Sequence, residues 1–237
     1  MKAVILAGGY GFRLYEKTKN IPKPMVKIGG KPIIWHIMKI FSKYGVNEFI
    51  ICGGYKLNII KKYFKNYLNQ NKSGWKVKVI DTGKNTMTGG RIKRIKTLLN
   101  KNEEFFFTYG DGISDINLKK LLVFHKKKNK LATVTAVIPP GRYGVLNIKN
   151  KMVKQFSEKK RGGDGYINGG FFVLKRKALD FIKNDKTIWE QDPMKKLSEK
   201  NQLAAYIHNG FWQSMDTYRD LLLLDEICKK QKFPWEI

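Results

Sequence analysis

The chain begins with Met1-Lys-Ala-Val-Ile-Leu-Ala-Gly-Gly-Tyr-Gly-Phe-Arg-Leu14, an apolar run that passes directly into a glycine-rich loop. The apolar residues predict a buried β-strand over Lys2–Leu6, and the glycines after it allow backbone N–H groups to approach a phosphate closely. Arg13 in the loop, and Lys23 between two prolines beyond it, supply positive charge where a polyphosphate would lie. The opening of the chain therefore indicates a nucleotide-binding site.

Two familiar phosphate-binding loops are excluded by spacing. A dinucleotide-binding fingerprint requires G-x-G-x-x-G, and Leu14 stands where the third glycine would be. A Walker A loop requires Gly-Lys-Ser/Thr after four spacer residues, and the chain contains no such sequence. The remaining interpretations are a different nucleotide loop or an ordinary glycine turn with nearby charges.

Apolar runs alternate with helical periodicity through the first half of the chain. Such alternation is typical of a largely parallel sheet with helices on both faces. The predicted strands are Lys2–Leu6, Asn47–Cys52, Trp75–Ile80, Glu104–Tyr109 and Ala132–Val137. The predicted helices are Pro32–Tyr44, Leu57–Leu68, Gly90–Leu99 and Asn117–His125.

The second half changes to short strands separated by glycine-rich turns. We predict strands over Tyr143–Ile148, Met152–Phe156, Ile167–Val173 and Gln202–Ile207. Helices are predicted over Lys177–Ile182, Trp189–Glu199 and Thr217–Lys230. We interpret this part as a β-rich extension of the same sheet. Residues 1–237 are then a single α/β domain with a Rossmann-like mixed, mostly parallel sheet flanked by helices.

Composition favours a folded chain outside the membrane. Hydrophobic residues make up 42% of the 237 positions, which is enough for a full core. No segment approaches the ~20 apolar residues of a membrane span, so we expect a cytoplasmic protein with no membrane partner. Cys52 and Cys228 form no C-x-x-C motif, which argues against a zinc site.

The formal net charge of +28 raises the alternative of nucleic-acid binding. Arginine is scarce, however, and the lysines are dispersed over the whole chain. Proteins that read phosphates and base edges favour arginine for its bidentate geometry. We therefore expect no nucleic-acid partner, and we expect the charge to attract anionic substrates.

Two aspartates are candidate ligands for a divalent cation. Asp111 lies between two glycines directly after the fourth strand, so it faces the same edge of the sheet as the first loop. Asp216 precedes the last helix. Two carboxylates, together with substrate phosphates and water, would complete the oxygen shell of Mg²⁺. The alternatives are an ordinary Asp-Gly turn at Asp111 and a helix cap at Asp216.

Two further groups of polar residues suit an anionic, hydroxylated substrate. Thr88 and Arg91 lie at the start of a predicted helix, where backbone donors favour an anion or a base edge. Glu158 and Asn168 can hydrogen-bond sugar hydroxyls, and Lys159 can pair with a sugar phosphate. An N-cap threonine, an exposed hairpin and a glycine bulge are the corresponding structural alternatives.

The opening loop, L-A-G-G-x-G-x-R-L followed by P-K-P, resembles that of the sugar-1-phosphate nucleotidyltransferases. The later motifs are similar to those of the glucose-1-phosphate cytidylyltransferases within that family. These motifs are Lys31-Pro-Ile-Ile-Trp-His-Ile-Met38, Asp81-Thr-Gly83, Met87-Thr-Gly-Gly-Arg91, Phe107-Thr-Tyr-Gly-Asp-Gly112, Pro139-Pro-Gly-Arg-Tyr-Gly144, Ile167-Asn-Gly-Gly-Phe-Phe172, Trp189-Glu-Gln191 and Gly210-Phe-Trp-Gln-Ser-Met-Asp-Thr217.

The resemblance implies a nucleotide-diphospho-sugar transferase fold with a sugar-binding extension, and a reaction of CTP with α-D-glucose 1-phosphate that yields CDP-glucose and pyrophosphate. It implies Mg²⁺ as cofactor, held by Asp111 and Asp216, and a homo-oligomer. The nucleotide-binding positions it implies are Leu6, Ala7, Gly8, Gly9, Tyr10, Gly11, Phe12, Arg13, Lys23, Thr88, Arg91 and Asp111. Those for the sugar phosphate are Glu158, Lys159, Asn168 and Gly169.

The expected catalytic residues are Arg13 and Lys23, because the difficulty of the reaction is electrostatic. The sugar phosphate is already an anion, so two polyanions must be brought together and charge on the leaving pyrophosphate stabilised.

The sequence departs from the family pattern in three places. Phe12 replaces a threonine, Lys160 replaces a proline, and the segment between Phe64 and Asp81 is shorter than usual. Two other functions therefore stay open. One is the same chemistry on another sugar phosphate or with UTP or dTTP, and the other is a non-catalytic protein that binds nucleotide sugars or nucleic acid.

Overall fold

The computed structural model describes residues 1–70, 73–141, 145–157, 165–230 and 233–235. The strands are β1 (Lys2–Ala7), β2 (Lys27–Ile28), β3 (Lys31–Pro32), β4 (Glu48–Gly53), β5 (Lys76–Asp81), β6 (Glu104–Tyr109), β7 (Gly112–Ser114), β8 (Ala132–Val137), β9 (Val145–Lys149), β10 (Met152–Ser157), β11 (Ile167–Asn168), β12 (Phe172–Lys175), β13 (Leu203–His208) and β14 (Trp212–Ser214). The α-helices are α1 (Tyr15–Thr18), α2 (Ile33–Lys43), α3 (Leu57–Gln70), α4 (Thr88–Arg94), α5 (Leu118–Lys128), α6 (Asp192–Glu199) and α7 (Tyr218–Lys229).

The central sheet is mixed and mostly parallel. Its order is β13, β8, β12, β6, β1, β4, β5, with β11 beside β8 on the same side as β12. Strands β6, β1, β4 and β5 are parallel to one another, whereas β12 runs antiparallel between β6 and β8. The α/β class and the largely parallel sheet predicted from the sequence are therefore confirmed.

Alternating residues of the central strands pack into two separate hydrophobic clusters. In β1, Ala3 and Ile5 belong to one cluster, and Val4 and Leu6 belong to the other. Helices α2 and α7 cover the first face, and α4 and α6 cover the second. A sheet buried on both faces explains why β1 is a continuous apolar run rather than an alternating pattern.

The predicted strand Ile167–Val173 is two strands. Gly170 and Phe171 have positive φ values of 73° and 45°, which breaks the chain between β11 and β12. Gly169 N–H still donates to Thr135 O over 2.9 Å, so the break is a local bulge and not a departure from the sheet. The prediction of an unbroken strand was wrong, because the alternation of apolar and polar residues does not reveal a bulge.

Other predicted boundaries also changed. The helix expected over Gly90–Leu99 runs from Thr88 to Arg94, and the one expected over Lys177–Ile182 is a 3₁₀ segment, Arg176–Phe181. The short strands β7 and β14 were not predicted. Within the described residues, strands β9 and β10 pair only with each other. Of the predicted β-rich extension, β11, β12 and β13 therefore belong to the main sheet, where they pair with β8 or β6.

No helix in the described part of the chain is long and apolar enough to cross a membrane.

Candidate active site

A cleft of about 750 Å³ lies where the loops after β1 and β6 meet. Ligands of open α/β sheets bind at the carboxyl ends of the strands, and this cleft has that position. Its walls contain most of the residues predicted from the sequence: Leu6, Ala7, Gly8, Gly9, Tyr10, Gly11, Arg13, Lys23, Thr88, Arg91, Asp111, Asn168, Gly169 and Asp216.

Among the predicted positions that the structure describes, Phe12 is the one that does not line the cleft. Phe12 is 72% exposed, and its ring stacks on Tyr10 with the ring centroids 5.2 Å apart. Glu158 and Lys159 lie outside the described residues, so their role remains a prediction.

The glycine-rich loop depends on its glycines for close packing. A Cβ atom at Gly8 would lie 2.2 Å from Nη1 of Arg91, well inside contact distance. Gly11 has φ 71°, a left-handed conformation that glycine adopts without strain. The loop therefore exposes its backbone on one side while the other side rests on Arg91.

Arg91 is buried beneath this loop. Its guanidinium donates to the carbonyl oxygens of Gly8, Gly53, Gly83 and Lys84 and to the hydroxyl of Thr82. Burial lowers the pKa of Arg91, but an arginine so placed stays charged. These contacts make Arg91 the residue that joins the loops after β1, β4 and β5. Arg91 also lines the cleft, and its predicted contact with the nucleotide stays a prediction.

Lys23, Asp111 and Asp216 form a compact charged cluster in the cleft. The Lys23 ammonium lies 2.6 Å from Oδ2 of Asp111 and 2.9 Å from Oδ1 of Asp216. Arg13 approaches the same oxygen of Asp216 at 3.5 Å, with its side chain 79% exposed. The loops after β1 and β6 and the segment before α7 thus bring their charges to one place.

The cluster shifts the pKa values of Lys23 and Asp216 in opposite directions. Burial by itself would lower the pKa of Lys23, but the ion pairs with Asp111 and Asp216 outweigh it and the pKa is raised. Burial would raise the pKa of Asp216, yet the hydrogen bond and charge of Lys23 lower it. Lys23 and Asp216 are therefore both ionised at neutral pH.

The carboxylates of Asp111 and Asp216 fit a divalent cation whose other ligands are water and substrate oxygens. Asp111 and Asp216 converge on a single ammonium, so their oxygens can share one cation. Within the described residues, no group of three or more histidine, cysteine or acidic side chains could hold a metal by itself. Mg²⁺ suits such a site because it commonly binds one or two carboxylates and keeps water and substrate phosphates as its other ligands.

Asp216 does not cap helix α7, which was the structural alternative for this residue. Helix α7 is capped by Thr217, whose side chain accepts from Asp220 N–H, and Asp220 completes a capping box. Thr88 likewise forms no side-chain cap on α4. Its hydroxyl instead donates to Glu190 over 2.6 Å.

Glu190 and Tyr109 are cleft residues that sequence reasoning did not select. The Tyr109 hydroxyl donates to Oε1 of Glu190 over 2.6 Å and accepts from Asn168 Nδ2 at 2.8 Å. Burial raises the pKa of Tyr109 well above its ordinary value, and the charge of Glu190 adds to that shift. Both residues stand in motifs quoted above, Phe107–Gly112 and Trp189–Gln191, which was the only signal available.

The family model for nucleotidyl transferases matches residues 2–229, and the chain belongs to that family. It is 48% identical, over 254 aligned residues, to glucose-1-phosphate cytidylyltransferase of Salmonella typhimurium (strain LT2). That alignment covers 100% of this chain and 99% of the relative. The alignment has 254 positions and this chain has 237 residues, so the relative contains residues that this chain lacks.

Solved structures agree with this assignment. HddC from Yersinia pseudotuberculosis, in complex with GMP-PN, is 28% identical, with a TM-score of 0.73 and coverage of 95% of this chain and 98% of that one. The inositol-1-phosphate CTP transferase from T. maritima has a TM-score of 0.74 at 17% identity, covering 98% and 96% of the two chains, which supports the fold alone. The predicted family and fold class are thereby confirmed.

Proposed function

We propose that the chain transfers CMP from CTP to α-D-glucose 1-phosphate, releasing pyrophosphate and forming CDP-glucose, with Mg²⁺ as cofactor. The observation that carries the proposal is the cluster of Lys23, Asp111 and Asp216 beside the glycine loop. The 48% identity to a glucose-1-phosphate cytidylyltransferase, over all of this chain, supports the choice of nucleotide and sugar.

In the proposed reaction, a phosphate oxygen of the sugar phosphate attacks the α-phosphorus of CTP. The bond from that phosphorus to the bridging oxygen breaks, and pyrophosphate leaves with the bonding electrons. No proton has to be removed from the nucleophile, because the phosphate is already ionised. The protein must therefore hold two polyanions together and stabilise negative charge on the reacting phosphates.

The chain supplies that stabilisation with fixed donors and cations. Backbone N–H groups of Gly8–Gly11 would donate to phosphate oxygens. Arg91 supports this loop by donating to the carbonyl oxygen of Gly8. Lys23 and Arg13 place positive charge at the same side of the cleft. Thr88 is proposed to border the nucleotide, and Asn168 and Gly169 are proposed to border the sugar.

Asp111 and Asp216 are the residues that would hold Mg²⁺. When bound, the cation would neutralise phosphate charge and polarise the phosphoryl oxygens. A divalent cation on these carboxylates would compete with Lys23 for them. The ammonium of Lys23 would then be available to a substrate phosphate.

The test is pyrophosphate release with Mg²⁺, glucose 1-phosphate and each of CTP, UTP, dTTP, ATP and GTP. Release with CTP alone is the expected result. Release with another nucleotide would move the specificity within the same chemistry. No release with any nucleotide, followed by none with CTP and other sugar 1-phosphates, would overturn the proposal.

A further inference from the structure

Glu190 is an exposed carboxylate in a cleft proposed to bind two polyanions. A negative charge there opposes substrate binding, since like charges repel more strongly in a partly desolvated cleft. The proposed chemistry does not use this carboxylate as a base or as a metal ligand. Its presence therefore calls for a ligand group that donates hydrogen bonds.

Both oxygens of Glu190 are held in place by protein hydroxyls. Tyr109 donates to Oε1 and Thr88 donates to Oε2, each over 2.6 Å. Trp189 N–H donates to the Thr88 hydroxyl at 2.9 Å, so that hydroxyl is oriented as well. Each carboxylate oxygen can accept more than one hydrogen bond, and the described contacts leave capacity on both.

The network continues through Tyr109 to Asn168. Asn168 donates from Nδ2 to the Tyr109 hydroxyl at 2.8 Å, and its Oδ1 accepts from Gly170 N–H at 2.9 Å. The bulge between β11 and β12 provides that last donor. Glu190 thus lies between Thr88, on the nucleotide side of the proposed site, and Asn168, on the sugar side.

Close backbone packing brings Glu190 to this position. Cβ atoms at Gly89 and Gly90 would lie 2.7 Å from Thr187 O and 2.5 Å from Asp185 Cα. Met87 N–H donates to Asp185 O at 2.8 Å. The two glycines at the start of α4 therefore allow the segment before Trp189 to pack against α4, which carries Glu190 into the cleft.

We propose that Glu190 is a specificity-determining residue that accepts hydrogen bonds from hydroxyl groups of the acceptor sugar. This inference rests on the proposed function, and it assigns the Glu190 carboxylate to the hydroxyl groups of the sugar. A carboxylate can only accept, so it selects a sugar that presents a hydroxyl donor at this point. It also disfavours sugar 1-phosphates that carry their own carboxylate, such as a hexuronic acid 1-phosphate.

The test compares wild type, Glu190→Ala and Glu190→Gln on glucose 1-phosphate and its 2-, 3-, 4- and 6-deoxy analogues. For Glu190→Ala we expect kcat/KM for glucose 1-phosphate to fall about 10- to 100-fold, the range for a hydrogen bond to a charged group. The KM for CTP should change little. Glu199→Ala is the matched control, because Glu199 is an exposed carboxylate of α6 that does not line the cleft.

The decisive readout is a cycle between enzyme and substrate. One deoxy analogue should be poor with wild type and should lose little further activity in Glu190→Ala, because the hydroxyl and its acceptor have been removed as a pair. With each of the other analogues, Glu190→Ala should lose activity relative to wild type by about the same factor as it does with glucose 1-phosphate. Glu190→Gln should reduce discrimination against glucuronic acid 1-phosphate, since the amide carries no charge.

Equal loss on all sugars, with no insensitive analogue, would overturn the proposal and leave Glu190 a structural residue. A rise confined to the KM for CTP would also overturn it, and would indicate that the carboxylate accepts from the amino group of the base instead. Failure of the proposed function is distinguishable, because wild type itself would then not turn over CTP and glucose 1-phosphate.

Discussion

At the scale of single residues, Lys23 is the most informative side chain. Its side chain is only 13% exposed, and its ammonium lies between two carboxylates that come from distant parts of the chain. It neutralises those carboxylates in the absence of a divalent cation, so that Asp111 and Asp216 can stay close together without mutual repulsion. The same charge is available to phosphates once the carboxylates have another partner.

Lys23→Ala should therefore have two opposite effects. Turnover should fall about 10²- to 10³-fold, by analogy with the removal of one preorganised donor. Binding of Mg²⁺ to the protein without nucleotide should become tighter, because no ammonium competes for the carboxylates. Pyrophosphate release and isothermal titration with Mg²⁺ measure the two. Lys27→Ala, on an exposed lysine of β2, is the control, and near-normal turnover of Lys23→Ala would remove Lys23 from the mechanism.

Two buried histidines should make stability depend on pH. Burial lowers the pKa of both His36 and His125 below the ordinary value of 6.5. Below about pH 6.5 the unfolded chain binds protons that the folded chain does not. The free energy of unfolding should then fall as the pH decreases from 7 towards the lowered pKa values, and should be insensitive to these groups above pH 7.

Urea unfolding at several pH values tests this expectation. His125→Asn keeps a group that can pair with the Thr133 hydroxyl, which lies 2.8 Å from Nδ1, but cannot be protonated. Its unfolding free energy should fall less steeply with acidification than that of wild type. Identical slopes in the two proteins would show that His125 does not contribute.

At the scale of elements, loops and turns rather than strand cores position the site. Arg91 on α4 connects the carboxyl ends of β1, β4 and β5 through backbone carbonyls. The bulge between β11 and β12 orients Asn168. Helix α4 begins with a glycine pair so that the segment carrying Glu190 can approach. In each of these three cases, part of one element contacts the backbone of another. Such contacts leave no periodic pattern of residues in the sequence.

Gly90→Ala tests the packing on α4. Its Cβ would meet the backbone of Asp185, which cannot rotate away as a side chain can. We expect the unfolding free energy to fall by about 1–3 kcal/mol, the range for overpacking. The KM for sugar phosphate should rise as Glu190 is displaced. Gly9→Ala, where nothing lies within 4 Å of the added atom, is the stability control, and an equal loss there would contradict the packing argument.

At the scale of the whole molecule, the net charge of +28 acts on association rather than on fold. A strongly positive protein attracts CTP and sugar phosphates over about a Debye length, and salt screens that attraction. We expect kcat/KM to fall several-fold between about 0.05 M and about 0.5 M salt, with kcat at saturation nearly constant. Initial rates across that range measure it. An unchanged kcat/KM would mean that the lysines do not steer substrate.

The sequence by itself determined the class of fold and most of the cleft wall. The run Ala3–Leu6, followed by Gly8–Arg13, predicts a buried strand that ends in a glycine-rich loop, and the structure has both. Alternation with amphipathic helices then requires a parallel sheet. These are local properties, because a period of two or 3.6 residues and a glycine turn are written in neighbouring positions.

Only the tertiary structure decided which polar residues act together. Lys23 meets partners 88 and 193 positions away, and Thr88 meets Glu190 across 102. Arg91 lines the cleft, and its contact with the nucleotide stays a prediction. The five acceptors from three strand ends that surround its guanidinium could not be predicted from local sequence. Glu190 entered the cleft because glycines let two segments pack closely. Such contacts depend on how the strands are ordered in the sheet, and local patterns carry no information on that order.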